Sequence, residues 1–74
     1  MRGRNEIIEA LIRDAEEKLE EARFYEHFYN MEVAKPKTIG KNEALDNLAL
    51  YQKHVKSRET HLKLLLDYAK WISS

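Results

Sequence analysis

The oxygen donors of the sequence are densest at Glu16, Glu17, Glu20 and Glu21, with Glu43 and Asp46 further on. The nitrogen ligands are His27, His54 and His61. His54 and His61 are seven residues apart, which on a helix means two turns, or about 10 Å, too far to share one ion. None of the three follows a Glu at i−3, so the Glu-x-x-His pattern of helical di-iron bundles is missing. With no cysteine, thiolate nucleophiles, thiolate metal sites and disulfides are closed. Two glycines cannot build a Gly-rich phosphate loop, and Ser57, Ser73 and Ser74 have no evident histidine and acid arrangement. The expectation is a chain that is not an enzyme, with no metal and no cofactor.

The elements that would position these residues are two helices. Residues 5 to 34 hold no Gly or Pro and are rich in strong helix formers, with Asn5 placed to cap the first N–H groups. Pro36 disfavours helical geometry at Lys35, and Gly40 adds a turn residue. Gly40 or Asn42 can then cap a second Gly- and Pro-free stretch. The expected fold is all-α: one hairpin domain over residues 1 to 74, with a helix over about 5 to 35, a loop over about 36 to 41, and an antiparallel helix over about 42 to 72.

Apolar residues recur at alternating four and three spacing. In the first helix they are Ile8, Ile12, Ala15, Leu19, Ala22, Tyr29 and Val33, interrupted by Glu26. In the second they are Ala44, Leu48, Tyr51, Val55, Leu62, Leu65, Ala69 and Ile72, interrupted by Arg58. With the loop centred between Thr38 and Ile39, facing residues have numbers summing to about 77, which sets Ala22 against Val55 and Ala15 against Leu62. Small then meets large across much of the seam. Glu26 faces Tyr51 and is expected to accept its hydroxyl proton, while Arg58 reaches toward the acidic rim.

Glu16-Glu17-Lys18-Leu19-Glu20 and Glu43-Ala44-Leu45-Asp46 have EExxE and ExxD spacing, which resembles the magnesium site of MazG-like nucleotide pyrophosphohydrolases over nine residues. The resemblance implies an all-helical metal-dependent nucleotide hydrolase. The register opposes it: Glu20 faces Ser57 while Glu43 faces Ala34, about 14 residues or roughly 20 Å apart along the axis. A solvated acidic face paired with Arg13, Lys18 and Arg23 is the simpler reading.

Large apolar residues remain outside the seam. Phe24, Phe28 and Met31 lie far from it on the first helix, and Leu64, Tyr68 and Trp71 form an i, i+4, i+7 stripe away from it on the second. A chain of 74 residues buries only about 60 to 65% of its unfolded surface, so these six residues are the expected protein interface. An antiparallel homodimer would set the loop-end set against the terminal set in a four-helix bundle, and another protein could serve equally. A kink near Phe24 that buries them within the chain is the competing expectation.

Charge is divided along the chain. From Asn5 to Ala34 nine acids meet three bases, net −6; from Lys35 to Ser74 eight bases meet four acids, net +4. Lys35, Lys37 and Lys41 around the loop, with Lys53, Lys56 and Lys63, could track phosphates. That would make a dimeric RNA- or DNA-binding regulator similar in shape to Rop-like bundles. The longest apolar run is Leu64-Leu65-Leu66, and no signal-peptide-like run follows Met1, so a cytoplasmic protein without membrane contact is expected. No small-molecule substrate is expected. Function is expected to be protein interaction, as a small adaptor, subunit or inhibitor.

Overall fold

In the computed structural model, which describes residues 4–73, two helices pack against each other: α1 (Arg4–Ala34) and α2 (Lys41–Ser73). Neither is interrupted, and Phe24 is 63% exposed, so it is not buried within the chain as a kink there would require. Arg4 is already helical, which places Asn5 inside the first turn rather than in the cap position. Neither helix is long and apolar enough to cross a membrane.

The seam forms the contact. Ile8, Ala15, Leu19, Ala22, Ala44 and Val55 are buried, and the other seam residues, Glu26 and Arg58 included, are half-buried. Leu19, Ala22 and Val55 make the central cluster, with Leu62 packed on it. Ile8 and Ile12 line one groove with Ala69 and Ile72. These pairings follow the register in which facing numbers sum to about 77. Among the described residues no large side chain is fully buried, so a two-helix contact leaves its core thin.

At the seam's loop-side half, Tyr51 stacks on both Tyr25 and Tyr29, with ring centroids 5.1 and 5.5 Å away and planes inclined by 29° and 23°, while Tyr25 and Tyr29 lie 6.5 Å from each other. His54 meets the Tyr51 ring edge to face at 5.3 Å. Among the described residues no hydrogen bond joins Tyr51 to Glu26, which corrects the expected pairing. The ring is held by stacking, an arrangement favoured for aromatic pairs at these separations. Arg58 likewise makes no ion pair with the acidic rim among the described residues. The helix-surface pairs that form are Lys18 with Asp14 at 3.1 Å and Arg23 with Glu20 at 2.9 Å.

The loop is closed by a residue outside the expected seam and sites. Glu32 is buried, and its Oε2 accepts the backbone N–H groups of Lys37, Thr38 and Ile39 at 3.0, 3.1 and 3.4 Å. The Lys35 N–H donates to the Met31 carbonyl and Pro36 has none, so every loop donor from 35 to 39 is accounted for. The Gly40 carbonyl then accepts the Ala44 N–H, making Gly40 the cap of α2. The hydrogen bonds from Lys37 and Thr38 hold the Glu32 carboxyl below its ordinary value of 4.5, against the opposing effect of desolvation; the Ile39 bond and the Lys37 charge add to the lowering.

Candidate protein-interaction face

The hairpin is one helix thick. Its Cα atoms span 49 × 20 × 12 Å with a radius of gyration of 16.4 Å, against about 11 Å for a compact chain of this length. It exposes 6034 Å², where a compact monomer of this mass exposes roughly 4,800 Å². Domains ordinarily pack two layers around a core, and here there is one.

A slab has two broad faces, and the sequence assigns residues to them by a simple rule. In an antiparallel pair of right-handed helices, the positions one residue before each seam position project to the same side on both helices, and those one residue after project to the other. The grooves agree. Lys18 and Glu21, each one before the seam, line a groove of about 320 Å³ together with His54, which is one before it on α2. On the other side Gln52, Lys56 and Glu59, each one after the seam, line a groove with Glu26.

The two faces differ in kind. The "before" face carries Ile7, Leu11, Leu64, Tyr68 and Trp71 at the terminal end and Tyr25, Phe28 and Leu50 toward the loop end, where Glu43 and Asn47 of α2 lie beyond them. Leu64 is 62% and Trp71 71% exposed, and Tyr68 leans on Trp71 with centroids 5.9 Å apart. Between the two apolar ends lie Asp14, Lys18, Glu21, His54, Ser57 and Arg58. The "after" face carries Glu9, Arg13, Glu16, Glu20 and Arg23 beside Lys56, Glu59, Lys63 and Lys70, with Leu45 and Leu66 as its large apolar residues.

Of the six residues expected to form an interface, Phe28, Leu64, Tyr68 and Trp71 share the apolar broad face. Phe24 and Met31 lie on the outer edge of α1, opposite the seam, 63% and 59% exposed. No protein-family model, no curated protein and no solved structure matches this chain.

The other expected sites are dispersed. Lys35 and Lys37 are in the loop and Lys41 opens α2, Lys53 is on the outer edge of α2, and Lys56 and Lys63 are on the polar broad face beside acids of α1. All six are exposed. Glu16, Glu17, Glu20, Glu43 and Asp46 are exposed as well, and among the described residues no three His, Asp or Glu side chains come together as metal ligands. His54 packs on Tyr51, far along the helix from exposed His61.

Tyr25 was outside the expected interface, and Ile7, Leu11 and Leu50 were expected beside it rather than in it. Their signal was present, since each stands one residue before a seam position, but it becomes a shared face only once the helices are known to be antiparallel and paired in this register. Glu32 also left a signal. A carboxylate in the last turn of a helix opposes the macrodipole, and α1 has no basic residue there, so such a residue calls for a donor.

Proposed function

We propose that this chain is a non-enzymatic protein-interaction module that acts through its apolar broad face, taking a second helical layer there to complete a four-helix bundle. The observation that carries this reading is the single layer with one apolar and one charged broad face. Large apolar side chains clustered at both ends of one broad face mark an interaction site, whereas scattered single residues do not. Tyr25, Phe28, Tyr68 and Trp71 are of the types that anchor interfaces, since they add much contact area for few rotatable bonds.

A photo-crosslinking residue placed at Tyr68 or Phe28, and in parallel at Glu16 or Lys63, tests the reading in the cell of origin. Crosslinks to protein are expected from 68 and 28 and to be sparse from 16 and 63. Equal yields from both faces, or none from the apolar one, would overturn it.

A further inference from the structure

The apolar face constrains its own occupant. It is apolar at both ends and polar between them, where Glu21 and half-buried Arg58 line the central groove. A uniformly apolar partner would strip water from these charges without replacing it, which is costly. A fitting partner has apolar, polar and apolar segments at the same spacing, and this face is itself such a surface.

A second copy can be laid on it by either of two rotations. With the two-fold axis along the helices, loop lies beside loop and each α1 covers the other copy's α2. With the axis across the helices, loop lies beside termini and α1 covers α1. Both pair apolar ends with apolar ends, and charge separates them. On this face α1 carries Asp14, Lys18, Glu21 and Glu32, net −2, while α2 carries Glu43 and Arg58, net 0. The second rotation sets −2 on −2, whereas the first sets −2 on 0 and brings Glu21 toward Arg58.

We infer that the face is covered by a second copy of this chain stacked loop beside loop, with Glu21 of each copy meeting Arg58 of the other. Facing numbers again sum to nearly 77, which brings these two residues within a turn of one another. The broad face of 49 by 20 Å offers on the order of 1,000 Å² per copy, against about 800 Å² per partner in a standard interface. This inference rests on the proposed function for the face and adds the identity and direction of the partner.

Two measurements on the purified full chain test it. In sedimentation equilibrium, Arg58→Glu and Glu21→Arg are each expected to weaken self-association by roughly tenfold or more, since like charges then meet across the interface. An equimolar mixture of the two variants restores it, because both intermolecular pairs become opposite in sign while the pairs within each chain stay alike. A mixture as weak as its components overturns the inference. The chain has no cysteine, so Thr38→Cys carries one spin label per copy, and this variant leaves the face intact. Loop beside loop gives a label separation of about 20 Å, from helix layers about 10 Å apart plus the label arms, whereas the crossed arrangement gives a separation near the 49 Å length. The long distance, or a monomer at high micromolar concentration, rejects the inference. Crosslinks from position 68 to a different protein would, in that event, leave the proposed function standing.

Discussion

The two broad faces of the hairpin differ by a step of two residues along each helix. Shifting from one position before the seam to one position after replaces Leu11, Tyr25, Phe28, Leu64, Tyr68 and Trp71 with Arg13, His27, Asn30, Leu66, Lys70 and Ser73. Secondary structure, register and helix length are shared, so neither propensity nor the seam accounts for the contrast. A chain needing only to fold as a soluble hairpin could be polar on both sides. Retaining large side chains on one side costs solubility, and burial against the proposed second layer would offset that cost.

The comparison can be broken most severely at the seam that supports both faces. Leu19→Ala removes a buried side chain from the central cluster and is expected to destabilise the hairpin by about 2 to 5 kcal/mol, read by chemical denaturation; a loss below about 1 kcal/mol would mean that the seam is not the core. On the apolar face, Trp71→Ala is expected to cost about 2 kcal/mol of association, roughly 30-fold in dissociation constant, while leaving helix content by circular dichroism unchanged. If association is unmoved, the aromatic end of that face is not an anchor. On the charged face, Lys63→Glu should shift association and stability by less than about 0.5 kcal/mol. A large response there would erase the distinction between the faces.

The loop supplies a pH-dependent check that is independent of either face. The Glu32 carboxyl is held below 4.5 in the folded chain, so its contribution to stability is fully present above that value and is lost as pH falls through the lowered folded value. Denaturation of the parent and of Glu32→Gln, compared from neutral pH downward, should show a stability gap that is constant above 4.5 and narrows below it. A gap that does not narrow means the ionised carboxylate is not what closes the loop. Hydrogen exchange at Lys37, Thr38 and Ile39 should quicken by about tenfold in the variant at neutral pH.

The seam was legible in the sequence because four-and-three spacing over many turns has few other physical explanations, and the contact of Ala22 with Val55 follows from loop position alone. The Tyr25, Tyr29 and Tyr51 stack was not legible. Tyr25 stands outside the seam period, and which ring leans over which depends on rotamers that spacing does not specify. Phe24, Phe28 and Met31 read as one group on a single wheel, whereas pairing the helices splits them between an edge and a face. Arg58 and Glu26 were correctly placed in the seam, but their hydrogen-bond partners could not be read from register, because long polar side chains leave a seam at either side.

The Glu32 clasp bears on the order in which the chain becomes structured. Its three hydrogen bonds span only five to seven residues, so they can close on the timescale of local loop closure, about 10 to 100 ns, before contacts near the termini are brought together. Once closed, the clasp fixes which residue of α2 follows which residue of α1, and the seam can zip outward from Ala44 without searching neighbouring heptad alignments. A repeating apolar period would otherwise tolerate a slip of seven residues. One carboxylate at the turn thus gives a repetitive interface a unique starting point.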